Sequence, residues 1–130
     1  IYLSSFLEQR GMLHTGVKVD YRKLNIINIH LGLDDEERGI QIRELLDFIK
    51  KLGDEPYIVV GDFNQGGVTV EEDILKDVAK ELGKSNILTF PTGLDRIDYI
   101  FVSSNIEVID YDVIIKDMSD HYPVFAKIKI

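Results

Sequence analysis

Three short polar clusters sit at the edges of apolar runs: Gly61-Asp62-Phe63-Asn64, Arg96-Ile97-Asp98-Tyr99 and Ser119-Asp120-His121-Tyr122-Pro123. A carboxylate beside an apolar strand is costly to bury without a partner. Each cluster nevertheless carries one, and in the third a histidine follows directly. Carboxylate and amide oxygens suit a hard cation, and an imidazole with an ordinary pKa of ~6.5 suits proton transfer near neutrality. These are the parts needed for acid–base work on a phosphate ester.

Each cluster also has a plainer explanation. Asp62 and Asn64 could close a turn by bonding their own backbone, although the two-residue period of a strand would put both on one face. Asp98 lies between Ile97 and Tyr99 in an apolar run, so it either pairs structurally, with Arg96 as the nearest cation, or orients a histidine. Ser119-Asp120 could be a turn before the last strand, and His121 would then be a surface residue. His30 shares a strand face with Asn28 near a strand end, where it serves chemistry or structure equally well. His14, in mid-strand with no reactive neighbours, reads as structural.

The positions of these residues depend on the elements around them. Alternation over Met12 to Val19 and Leu24 to Leu31, with a polar turn between, predicts a hairpin. Ile26, Asn28 and His30 share one face of its second strand, and Ile27, Ile29 and Leu31 the other. Asp34 and Glu37 form a capping pair for a helix whose stripe is Ile42, Leu45, Leu46, Ile49 and Leu52, stopped by Gly53. Tyr57 to Phe63 reads as the next strand. Thr69 and Glu72 read as the cap of a second helix, with Ile74, Leu75, Val78, Ala79 and Leu82 as its stripe and Gly83 as its stop. Strands are expected over Ile97 to Ser103, Ile106 to Ile115 and Tyr122 to Ile130. The sum is an α/β (α+β) domain over residues 1–130, with one mixed β-sheet of about six strands and two helices.

Bulk properties agree with a single globular domain. The chain has 130 residues, 45% of them hydrophobic and 29% charged, enough to build a core. No segment approaches the ~20 apolar residues of a membrane span, so no transmembrane segment is expected. The chain has no cysteine, which excludes disulfides and thiolate metal sites. That fits a reducing compartment, with the cytoplasm as the default. Residues 31–83 hold 14 acids and 6 bases and carry the whole net charge of −8. A solvated helix face accounts for this, and overall acidity argues only weakly against a nucleic-acid substrate.

The ordered motifs Asn28-Ile29-His30-Leu31, Gly61-Asp62-Phe63-Asn64, Arg96-Ile97-Asp98-Tyr99-Ile100-Phe101 and Ser119-Asp120-His121-Tyr122-Pro123 resemble the endonuclease/exonuclease/phosphatase superfamily, the deoxyribonuclease-I-like fold. Arg10-Gly11, Arg38 and Gln41 also match its spacing. The resemblance implies a metal-dependent phosphoesterase with Mg²⁺, or alternatively Mn²⁺, as cofactor. It implies that Asp62 contacts the attacking water or the metal, that Asn64 binds phosphate or water, and that Asp120 is a metal ligand. His121 would act on the phosphate, oriented by Asp98. His30 would contact the phosphate, and Asn28 and Arg96 the substrate, with Arg96 equally able to pair with Asp98.

Members of that superfamily have two similar halves in a four-layer α/β sandwich, and this chain matches only the C-terminal half. The first half normally contributes an Asn and a metal-binding Glu at strand ends. The chain opens at Ile1 in mid-pattern, without a signal-peptide pattern. The expectation is therefore a missing N-terminal half in the same gene, or self-association through an exposed sheet face. Short loops, notably Phe90 to Asp95, carry no basic or aromatic nucleic-acid grip. That favours a small-molecule phosphate ester or lipid headgroup over a nuclease substrate. A non-catalytic binding or assembly module is the reading from another class.

Overall fold

The computed structural model describes residues 1–130. Strands β1 (Gly11–Val19) and β2 (Arg22–His30) form the expected hairpin. Its two-residue turn, Asp20-Tyr21, has positive φ at both positions, the twist that tight hairpins require. Helix α1 (Asp35–Lys50) carries the chain across to β3 (Tyr57–Asp62), which runs parallel to β2. Asp34 caps the helix by accepting from the amides of Glu36 and Glu37. Leu45 and Ile49 drive its apolar stripe into the core, with Ile42, Leu46 and Leu52 packed alongside.

The second expected helix is replaced by something shorter. Lys76–Asp77 forms a two-residue strand, β4, and α2 covers only Val78–Glu81. The Thr69–Glu72 cap is absent, and Asp77 caps α2 instead through the Ala79 amide. The reason is that the apolar stripe serves two different cores. Leu75 packs into the first core and Val78 and Ala79 into the second, so this segment wraps the sheet edge.

Strands β5 (Asp98–Val102), β6 (Glu107–Val113) and β7 (Val124–Lys129) complete the chain. They do not join one six-stranded sheet. A mixed five-stranded sheet has the order β1-β2-β3-β5-β4, and β6 and β7 form a separate antiparallel pair. One core lies between α1 and the large sheet, around Ile27, Ile29, Leu31, Val59, Phe63 and Phe101. The other lies on the opposite face, where Leu24 and Val102 meet Tyr111 and Val113 of the small sheet. Ile26, Ile58 and Ile100 pack on that side too. No helix is long and apolar enough to cross a membrane.

Candidate active site

Register across the large sheet places the reactive residues in one row. Gly11 pairs with His30, His30 with Asp62, and Asp62 with Asp98. Neighbouring strands lie ~4.8 Å apart, so carboxyl-end residues of β2 and β3 meet the first residue of β5. Period two then fixes their direction. Ile27 and Ile29, Val59, and Tyr99 and Phe101 face α1. His30, Asp62 and Asp98 therefore project from the other face, the side that carries the small sheet.

The small sheet brings the histidine. His121 stands three residues ahead of β7, and its Nδ1 lies 2.8 Å from Asp98 Oδ2. Its Nε2 lies 3.7 Å from Asp62 Oδ2, and His30 Nε2 lies 3.5 Å from the same oxygen. Asp62 thus divides its carboxylate. Oδ1 accepts from the Asn64 amide at 2.7 Å and Oδ2 faces two imidazoles. Burial works against charging His121. The hydrogen bond and charge of Asp98, helped by Asp62 and Asp120, outweigh it and hold the ring's pKa above its ordinary 6.5.

The backbone that presents Asp62 is tightly specified. Gly61 has a φ of +149, and a Cβ there would stand 1.8 Å from the Ile29 carbonyl oxygen. Asn64 lies past the strand end with a φ of 49, so the expected shared face with Asp62 does not apply. Asn tolerates this left-handed conformation better than most residues. Its Nδ2 donates to the Leu31 carbonyl at 2.8 Å, leaving the amide oxygen as its free acceptor. Arg38 Nε donates to Gln65 Oε1, and Tyr99 Oη accepts from the Val68 amide and donates to the Gln65 carbonyl. Together these bonds brace the loop that follows Asp62.

Two expected roles change. Arg96 neither pairs with Asp98 nor faces the cluster. Its guanidinium is buried, forks onto Asp77 with N–O distances of 3.0 and 2.6 Å, and lies 4.3 Å from the Tyr99 ring centre. That geometry corrects the expected pairing with Asp98 and gives the guanidinium a structural partner instead of a place in the cluster. Asp120 is exposed and accepts from the Ser119 hydroxyl at 3.1 Å. Asn28 is exposed on the same face as His30, as expected. His14 is structural, 2.8 Å from Asn25 Oδ1 and edge-on to Phe48.

Two residues near the cluster carried no periodic signal. Thr89 is fully buried beneath Asp98, and the Phe90 ring centre lies 4.9 Å from that of His121. The Thr-Phe-Pro step after Ile87-Leu88 marks a loop, but nothing local says which site it serves.

Ligand atoms of Asp62, Asp98 and His121 all lie within 4.8 Å of one another. Two carboxylates and an imidazole, with no thiolate, fit a hard or borderline divalent cation. Within this group Asp98 Oδ2 is engaged with His121 Nδ1 and Asp62 Oδ1 with the Asn64 amide, which leaves Asp98 Oδ1 and Asp62 Oδ2 to face a cation; Asp120 is exposed and outside the group.

A sequence model of the Endonuclease/Exonuclease/phosphatase family matches residues 3–121. Phospholipase C of Staphylococcus aureus is 23% identical over 168 residues, covering 90% of this chain and 50% of that protein. The fold resembles that of humanized D. rerio TDP2 (TM-score 0.84, 21% identity, all of this chain and 66% of that one). It also resembles a mannosyl-6-phosphatase of Bacteroides thetaiotaomicron (TM-score 0.69, 22% identity, 94% of this chain and 58% of that one). The chain spans about half the length of the curated relatives it matches. With the family's motifs in order and the family match running almost end to end, the chain belongs to the endonuclease/exonuclease/phosphatase family.

Proposed function

We propose that this chain carries the C-terminal share of a divalent-metal-dependent phosphoesterase site that hydrolyses a phosphodiester or phosphomonoester by in-line attack of water. The observation that carries this reading is the single cluster formed by His30, Asp62, Asp98 and His121 from two sheets. Asp62 Oδ2 orients or deprotonates the water, and Asn64 binds the phosphate or the water. The new P–O bond forms as the ester P–O bond opposite breaks. His121, held by Asp98, offsets charge on the phosphoryl oxygens, with His30 and Asn28 contacting the phosphate. Asp62 and Asp120 would hold Mg²⁺ or Mn²⁺, which when bound supplies further charge neutralisation.

The short loop around Phe90 supports a small-molecule or lipid-headgroup ester over a nucleic acid, and the net charge of −8 adds only weakly to that. The likeness to a phospholipase C agrees with that preference. The test is Mg²⁺-dependent hydrolysis of bis-p-nitrophenyl phosphate by the full-length protein, beside Asp120→Ala and His121→Ala. Activity lost in both supports the reading, and activity unchanged in both removes it. A linear fall of log affinity for DNA with log salt would instead assign a nuclease.

We further propose that more chain, or a second copy, covers the face beside β7. β6 packs against α2, which leaves β7 as the open edge of a two-stranded sheet. Leu13 is 66% exposed and Val17 36% exposed on the β1 strand. A free strand edge is a pairing site, and the exposed apolar side chains of β1 are a second surface to cover. Light scattering of the 130 residues alone, showing a well-folded monomer, would contradict this.

A further inference from the structure

Asp98 and His121 belong to different sheets that share no strand pairing, since β5 lies in the five-stranded sheet and His121 leads into β7 of the pair. Their contact therefore needs something that fixes one sheet's edge against the other. Thr89 makes backbone bonds to both sides. Its Oγ1 accepts from the amides of Asp98 and Ile97 at 3.1 and 3.3 Å. Its carbonyl accepts from the Tyr122 amide at 2.7 Å. The next residue, Phe90, packs its ring against the His121 imidazole with centres 4.9 Å apart and planes tilted by 40°. Thr89 itself is fully buried.

We propose that Thr89 is the positioning residue of this site, a staple whose hydroxyl and carbonyl hold Asp98 and His121 in register, with Phe90 as the wall of the imidazole. The catalytic part of this inference rests on the phosphoesterase reading; the structural part does not. Thr89 is fully buried and works only through the pair. The hydroxyl oxygen is the atom that matters on the Asp98 side, so serine can replace threonine there and valine cannot. Valine keeps the shape but leaves two amides without their acceptor, a buried loss that shifts the start of β5. A displacement on the order of 1 Å in a reacting group can cost ~10²-fold in rate.

The test compares Thr89→Val and Thr89→Ser in the full-length protein. Thr89→Val is expected to lower kcat by ~10²-fold with KM little changed, and Thr89→Ser to restore most of it. The second readout needs no turnover. The His121 Hδ1 proton, bonded to Asp98, should give a downfield NMR resonance that Thr89→Val loses and Thr89→Ser keeps. Hydrogen exchange on the unmodified protein should show the Asp98 and Tyr122 amides protected. A Thr89→Val protein with the wild-type resonance and kcat would overturn the staple. So would a Thr89→Ser protein as impaired as Thr89→Val, or fast exchange at both amides. A protein without phosphoesterase activity but with the predicted resonance and protection would sink only the catalytic reading.

Discussion

Asp77→Ala is predicted to remove a large share of the domain's stability without touching either core. Arg96 and Asp77 are joined through both guanidinium nitrogens, and their side chains are only 7% and 11% exposed. Burial works against the Arg96 charge, and the Asp77 hydrogen bonds and charge more than offset it, so its pKa stands above the ordinary value. Removing one member of such a pair leaves the other charged in a dry place, which costs ~3–5 kcal/mol. Asp77 also caps α2 through the Ala79 amide, and losing a cap costs ~0.5–2 kcal/mol. A helix of four residues places that second loss at the low end. The sum, ~4–6 kcal/mol, rivals the whole stability of a domain whose total is ~5–15 kcal/mol. Urea unfolding should therefore show Asp77→Ala less stable by ~4–6 kcal/mol and Asp77→Asn between it and wild type. The double variant Arg96→Met/Asp77→Leu, which removes both charges, should recover most of the loss. It should also keep the wild-type KM, because the Arg96 guanidinium is bonded to Asp77 rather than placed in the cluster. An Asp77→Ala loss below about 1 kcal/mol, or a double variant no better than the single, would refute the buried-pair argument. A raised KM in the folded double variant would return Arg96 to the substrate.

Gly61→Ala should destabilise by more than about 4 kcal/mol in chemical denaturation, since its Cβ would collide with the Ile29 carbonyl on the neighbouring strand. A change within 1 kcal/mol would mean that β2 and β3 separate freely there. Asp98→Asn should cost more stability at pH 5.5 than at pH 9. The His121 pKa is raised in the fold, so the stabilisation it contributes is complete below the unfolded value of ~6.5 and fades as pH rises through the folded one. Equal losses at the two pH values, read from urea midpoints, would show that the charge on His121 plays no part.

Strongly periodic segments were legible in the sequence. The alternation of β2 put Ile27, Ile29 and Leu31 in the core and His30 on the other face, and the 3.6-residue stripe of α1 is present as read. That Asp98, an acid inside an apolar run, needs a partner was also legible, but the sequence left Arg96 and a histidine both open, and it was the family resemblance that pointed to His121. What failed was every feature that depends on which surface a segment meets. The stripe from Ile74 to Leu82 has helical spacing, yet its residues divide between two cores and only four form a helix. Alternation in β6 and β7 says that each has a buried face, but not that they pair only with each other. Arg96 sits two residues from Asp98 in sequence, yet bonds to Asp77 nineteen residues away. Thr89 gave no signal because its bonds use a hydroxyl and a carbonyl that any loop residue of its type possesses.

The central claim, that Asp62 and His121 act together on one phosphate, is tested most directly by a double-mutant cycle on kcat/KM. Asp62→Asn, His121→Gln and the double variant would be assayed on bis-p-nitrophenyl phosphate with Mg²⁺, using full-length protein. Groups that work as a unit give losses that do not multiply. The account predicts that each single change costs at least ~10³-fold and that the double costs about the same as the worse single. Singles near wild type, or a double loss equal to the product of the two, would contradict it.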